Sequence, residues 1–151
     1  RLAAAGADGL VMFNRFLQPD IDIETLGVES GVWLSNKVEQ RTALTWIAAI
    51  SKQVDASIAA TSGVATPEDA IKYILAGADV VMSTSALVRN GADYATEIID
   101  GLSSYLERKQ LDLEQARGLL AVPDDASAAE YERNGYVSAL EKAKTTYGSL
   151  R

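Results

Sequence analysis

Two short runs of small, hydroxyl-bearing residues, Ala60-Thr61-Ser62-Gly63-Val64 and Met82-Ser83-Thr84-Ser85-Ala86, each follow directly on an apolar stretch. A strand that gives way to small residues lets backbone N–H groups approach an anion. Gly63 withholds a side chain that would block the approach, and Ser and Thr hydroxyls add donors, a combination suited to phosphate. Taken singly, Ser62, Gly63, Thr84 and Ser85 are also what ordinary turns and caps contain; two such clusters at successive strand ends favour the phosphate. A further candidate is Asn14, directly after Leu10-Val11-Met12-Phe13 and followed by Arg15. Its amide offers a donor and an acceptor to a planar polar ligand, the plainer reading being that it only ends the strand. Arg89, four residues after Ser85, reads as an added cation or as a solvated surface residue.

The rest of the composition narrows the chemistry. With no Cys and no His among 151 residues, disulfides, thiolate or imidazole metal sites, Ser–His triads and cysteine nucleophiles are excluded. The formal charge of −7 argues against nucleic acid or an anionic membrane as partner. A bound anion is compatible with that charge, because aimed N–H groups act at contact while surface carboxylates are screened beyond about 8–10 Å. An apolar content of 48% is ordinary for a globular domain, and neither a membrane span nor a signal peptide is evident, so a cytoplasmic location is expected.

These clusters need strands and helices to hold them. The phrase Gly6-Ala7-Asp8 before Leu10-Val11-Met12-Phe13 returns as Gly77-Ala78-Asp79 before Val80-Val81-Met82, each time after a helical segment. With a strand at Ala56–Ala60 between the copies, this repeated joint predicts alternating α and β elements and a parallel sheet. Arg1-Leu2-Ala3-Ala4-Ala5 reads as the last turn of a helix whose beginning precedes the sequence. From Asn14 to about Lys37 the rhythm breaks; Ile21–Leu26 and Val32-Trp33-Leu34 read as two arms of a hairpin that either shapes a substrate site or is a solvent excursion. Helix is expected again through Thr42–Ile50, with Leu44, Ile47 and Ala48 on one face and Trp46 packed. Thr66 as N-cap, Pro67 at the first helical position and Asp69 in the capping-box slot mark another start. Ala86-Leu87-Val88 is placed to form a short helix. Beyond Asn90, Tyr94, Ile98, Leu102 and Leu106 form the stripe of a long helix, and Asp112 and Ser127 are plausible caps in a helical tail.

In (β/α)8 barrels the loops after the last two strands and a short extra helix commonly form a phosphate site. Residues 5–16, 62–70 and 77–87, taken together in this order and spacing, resemble the last three strands of the dihydroorotate dehydrogenase-like flavoproteins. The resemblance implies an α/β fold that is the C-terminal portion of a (β/α)8 TIM barrel, with barrel elements over 1–110 and a helical tail over 111–151. It implies non-covalent FMN, its phosphate held by Ser62, Gly63, Thr84 and Ser85, and Asn14 beside the flavin ring as a substrate contact. Ser62 stands where the family has glycine, and Arg15 where it has Ser or Thr, which fits the "like" branch better than the pyrimidine enzyme itself. Family members oxidise dihydroorotate, a small-molecule substrate, by proton abstraction and hydride transfer to flavin. The family's base, flavin-contacting Lys and early substrate asparagines have no place in these residues, so the piece alone is expected to be inactive, and to aggregate, pair as a homodimer or fold poorly through its open strand edges. A lyase or isomerase barrel binding a substrate phosphate, and a non-catalytic flavin-binding relative, are the alternatives.

Overall fold

The computed structural model describes residues 1–14, 19–29, 31, 33–123 and 135. In chain order a 3-10 turn (Ala3–Ala5) leads into β1 (Gly9–Met12), then β2 (Asp20–Asp22), β3 (Gly27–Glu29), α1 (Gln40–Ile50), β4 (Ser57–Ala60), α2 (Pro67–Ala76), β5 (Val80–Val81), α3 (Ser85–Asn90), α4 (Tyr94–Lys109) and α5 (Leu113–Ala116). Contacts divide the chain into two compact units, Arg1–Ala121 and Val122–Arg151, the first of which holds all the strands and helices named above. Of the expected tail, Asp112 does cap α5, accepting from Gln115 N at 2.7 Å, while Ser127 lies outside the described residues.

The fold is α/β. Three strands form a parallel sheet in the order β1-β4-β5, with Gly9 to Met12 paired in register with Ser57 to Ala60, and Ala59 and Ala60 with Val80 and Val81. Parallel neighbours need a crossover between them, and α2 supplies the one from β4 to β5. Alternate residues point to opposite faces. Leu10, Met12, Ile58, Ala60 and Val81 turn toward Ala43, Ile47 and Ala48 of α1 and Ala70, Tyr73 and Ala76 of α2. Ile47 and Ile58 are 0% and 1% exposed, and each such side chain contributes about 2–3 kcal/mol by leaving water. The other face is bare: Val11 and Val80 are 60% and 54% exposed, and β1 and β5 pair on one side only among the described residues. Among the described residues the two outer strands thus each keep an unpaired edge beside an exposed apolar face.

Both Gly-Ala-Asp joints are built alike. Gly6 and Gly77 take left-handed φ values of 97° and 110° and close the preceding turn through their N–H groups, to Ala3 O and to Ile74 and Tyr73 O. At the second joint the Asp79 backbone N–H donates to Ile58 O and its carboxylate accepts from Ile58 N, both at 2.8 Å, which pins β5 to β4. The start of α2 matches the sequence pattern, with the capping box formed by Thr66 and Asp69 and Pro67 in the first turn.

Two expectations fail. The hairpin closes within 20–29, β2 pairing antiparallel with β3, and Trp33-Leu34 is not a strand; Val32 and Arg15 lie outside the described residues. The cause is Asp22, whose carboxylate accepts from Glu24 N at 2.8 Å, Thr25 N at 3.2 Å and Thr25 Oγ1 at 2.6 Å, turning the chain back at once. These bonds also hold the Asp22 carboxyl below its usual pKa, the Thr25 hydroxyl contributing most. Trp46 is 52% exposed rather than packed. The buried face of α1 is instead Gln40, Ala43, Ile47 and Ala48, a stripe that passes Trp46 by.

Candidate functional site

The tips of the three parallel strands end level. Thr61 N donates to Met12 O at 3.0 Å and Met82 N to Ala60 O at 2.8 Å, continuing the sheet ladder by one bond on each side of β4. Beyond that point the chain takes two consecutive left-handed residues, Ser62 (φ 79°) and Gly63 (φ 71°). For a serine this backbone costs roughly 1–2 kcal/mol, and local bonds offset it: Ser62 Oγ donates to Phe13 O at 2.8 Å, tying this loop to the tip of β1 beside Asn14. A preference for glycine at this position follows directly from φ.

Four carbonyls of the loop are held by side chains from other elements. Tyr73 Oη, from the buried face of α2, donates to Ser62 O at 2.7 Å and to Thr61 O at 3.0 Å. Ser83 Oγ donates to Val64 O at 2.9 Å and Tyr94 Oη to Ala65 O at 3.1 Å. Asp69 accepts from Ala65 N at 3.2 Å and Thr66 N at 3.1 Å. In a planar trans peptide the N–H points opposite to its carbonyl, so anchoring Ser62 O on Tyr73 aims the Gly63 N–H the other way. It donates there to Ser35 Oγ at 3.4 Å. Burial, and then the Asp69 charge, push the Tyr73 phenol far above its usual range, so its hydroxyl remains a donor. Burial also acts most strongly on Asp69, raising its pKa, but the Ala65 N–H bond, the Lys72 bond and the charges of Lys37 and Lys72 outweigh it and leave the carboxyl below its usual value.

After β5, α3 begins at Ser85 with Thr84 as N-cap. Ser85 Oγ accepts from Ser35 N at 3.0 Å and lies 2.9 Å from Ser35 Oγ. Arg89 is neither a cation for the site nor simply solvated: its guanidinium donates to Leu34 O at 3.2 Å and Ser35 O at 3.0 Å, fastening the segment 33–35 over the strand tips. That segment closes the long interruption after β1 and brings its end to the strand tips.

These groups enclose a cavity of about 260 Å³. The structure brings all the sequence-nominated residues, Asn14, Ser62, Gly63, Thr84 and Ser85, to its wall. Thr61, Val64, Met82 and Ser83 join them from the strand tips, and Trp33, Leu34 and Ser35 from the fastened segment. Ser35 and Tyr73 are what sequence reasoning missed; a serine in a long loop carries no spacing signal, and Tyr73 reads as one more apolar position on α2. No Lys or Arg lines the cavity among the described residues; its polar lining residues are Asn14, Ser35, Thr61, Ser62, Ser83, Thr84 and Ser85. One inferred reason for Gly63 needs correcting: a Cβ there would meet Asn36 O at 2.8 Å and Gln40 Cβ and N at 2.9 Å, so the missing side chain makes room for the start of α1.

Known proteins resemble this chain in sequence and in fold. The DHODH of Eimeria tenella superposes with a TM-score of 0.66 and 26% identity in its ligand-free structure, over 81% of this chain and 35% of that one. Its complex with ferulenol gives 0.65 and 25%, over 81% and 33%. The catalytic subunit of dihydroorotate dehydrogenase B (NAD(+)) of Sulfolobus acidocaldarius is 35% identical over 123 residues, 79% of this chain and 42% of that protein. A dihydroorotate dehydrogenase (quinone) of Halobacterium salinarum is 34% identical over 109 residues, 71% of this chain and 31% of that protein. The chain thus spans less than half the length of these relatives. The family model for dihydroorotate dehydrogenase matches residues 2–106, and with β1, β4, β5 and both joints inside that match, the chain belongs to the dihydroorotate dehydrogenase family.

Proposed function

We propose that the cavity at the strand tips takes the phosphate end of FMN, and that this chain supplies the phosphate-side wall of an FMN-dependent dehydrogenase acting on dihydroorotate or a related small planar substrate. The observation that carries the reading is the backbone after β4: the Thr61 and Ser62 carbonyls are held by Tyr73, outside the cavity wall, while the Gly63 N–H donates to Ser35 Oγ at a cavity whose wall includes Ser35, Ser62, Thr84 and Ser85. A donor set without cations suits a phosphate held by dipoles and hydrogen bonds. Size agrees with one end of a larger molecule, since about 260 Å³ falls below the roughly 300–1,000 Å³ of pockets that enclose a whole drug-sized ligand.

In this reading Gly63, Thr84 and Ser85 hold the phosphate, Ser62 fixes the loop that presents Gly63, and Asn14 orients the substrate at the β1 tip. FMN, when bound, supplies the hydride acceptor; the residues described here bind and orient and hold no base of their own. The bare face carrying Val11 and Val80 is the inner wall of a (β/α)8 barrel whose remaining strands extend this sheet at both edges. As part of the pyrimidine pathway enzyme, the protein would be cytoplasmic and pair as a homodimer.

The test is titration of the purified protein with FMN and with riboflavin, followed by flavin fluorescence and the visible spectrum. Tight FMN binding, with riboflavin weaker by about a hundredfold for want of two or more charge-assisted bonds, is the expected result. Equal affinity for the two flavins, or none for either, sinks the phosphate assignment. Turnover of dihydroorotate by the FMN-loaded protein then tests the substrate separately.

A further inference from the structure

We infer that Tyr73 is a positioning residue of this site: its buried hydroxyl, bonded to the Thr61 and Ser62 carbonyls, aims the Gly63 N–H into the cavity and so sets the preference for an anionic end group. The inference deepens the phosphate reading and rests on it. Tyr73 touches neither the cavity nor any ligand place within it; it lies on α2 and is 0% exposed. It acts through the peptide plane between Ser62 and Gly63. That plane sits between two left-handed residues, past the end of the sheet ladder at Thr61 N. The 2.7 Å bond from Tyr73 Oη to Ser62 O is the shorter of the two side-chain bonds on this peptide, the other running from Gly63 N to Ser35 Oγ at 3.4 Å, and we assign to it the direction of the carbonyl and therefore of the N–H.

Alternative explanations of the tyrosine fit less well. A purely apolar role in the core is open to phenylalanine, which fills nearly the same volume, and would not need two carbonyls within 3.0 Å of the hydroxyl. Tyr94 provides the internal comparison. It also donates to a loop carbonyl, Ala65 O, but the N–H on the far side of that peptide, Thr66 N, bonds Asp69, which is not part of the cavity wall, whereas the Gly63 N–H bonds Ser35, which is. Anchoring Ala65 O therefore aims nothing into the cavity.

The experiment measures dissociation constants of FMN and riboflavin for the wild-type protein, Tyr73→Phe and Tyr94→Phe, with hydrogen exchange at the Gly63 amide in the flavin-free protein. Tyr73→Phe should weaken FMN about tenfold, as for one misaimed bond to a charged group, and leave riboflavin within about twofold. Its Gly63 amide should exchange faster, while Tyr94→Phe keeps the wild-type ratio of the two affinities. An unchanged ratio in Tyr73→Phe, or a parallel loss for both flavins in both variants, overturns the inference. If the wild type itself does not distinguish FMN from riboflavin, the phosphate reading fails instead. Gly63 exchange then judges the aiming role alone, and unaltered exchange in Tyr73→Phe refutes it.

Discussion

Gly63→Ala separates the two reasons a glycine can stand at that position. The backbone there is left-handed, at φ 71°, and the Cβ an alanine would add lands 2.8 Å from Asn36 O and 2.9 Å from both Gln40 Cβ and Gln40 N. Backbone strain accounts for roughly 1–2 kcal/mol. Crowding adds about 1–3 kcal/mol, toward the upper end because two of the three neighbours are main-chain atoms that cannot rotate away. The sum is about 2–5 kcal/mol, a large share of the roughly 5–15 kcal/mol that holds a domain folded. At about 3 °C per kcal/mol for a chain of this size, Tm should fall by about 6–15 °C. Gly6→Ala is the matched control, since its φ is 97° but nothing lies within 4 Å of the added Cβ. It should cost only the strain, a drop of about 3–6 °C. Thermal unfolding followed by circular dichroism measures both. A Gly63→Ala midpoint no lower than that of Gly6→Ala would refute the packing argument and return Gly63 to the ligand-approach explanation.

Further outcomes follow from the same contacts. Ser62→Gly should change stability by less than about 0.5 kcal/mol in urea unfolding, relief of the strained φ offsetting loss of the Ser62–Phe13 bond, whereas Ser62→Ala keeps the strain and should lose about 1 kcal/mol; equal values for the two would contradict this. Asp69→Asn should destabilise by about 1–3 kcal/mol near neutral pH, chiefly through the backbone N–H bonds at the start of α2, because the partner lysines are 61% and 45% exposed and contribute little. The folded Asp69 carboxyl is depressed below its ordinary 3.8, so its contribution is complete above that value and is lost as pH falls through the folded pKa; the gap between wild type and Asp69→Asn should close in acid, and a gap that persists there refutes the assignment. Arg89→Gln should leave stability within about 0.5 kcal/mol, since the side chain is exposed, yet raise amide exchange across 33–36. Exchange unchanged in that segment would mean that the guanidinium fastens nothing.

What was readable in the sequence was what repeats or caps. The two Gly-Ala-Asp joints are legible because a left-handed helix end followed by a strand leaves few residue choices, and the structure realises both with the same geometry. The start of α2 is legible because Thr66, Pro67 and Asp69 satisfy local donors within a single turn. The sequence pattern sets the second arm of the hairpin too far along the chain because the turn depends on a side chain, Asp22, folding onto its own backbone, and hydropathy alternation does not register that. The candidate site was half legible for a related reason. Ser62, Gly63, Thr84 and Ser85 announce themselves as polar residues ending apolar strands, but what turns the loop toward the cavity comes from residues 11 or more positions away. Tyr73 Oη reaches back to Ser62 O across 11 residues, and Ser35 Oγ meets Ser85 Oγ across 50. Such bonds exist only once the sheet has brought β1, β4 and β5 level, so their residues look like apolar core or plain loop until then. The site is therefore a property of the sheet's register as much as of its polar residues. A one-residue slip between β4 and β5 would leave every serine in the sequence and still move Ser83 off Val64 O, a contact that joins the loops after β4 and β5.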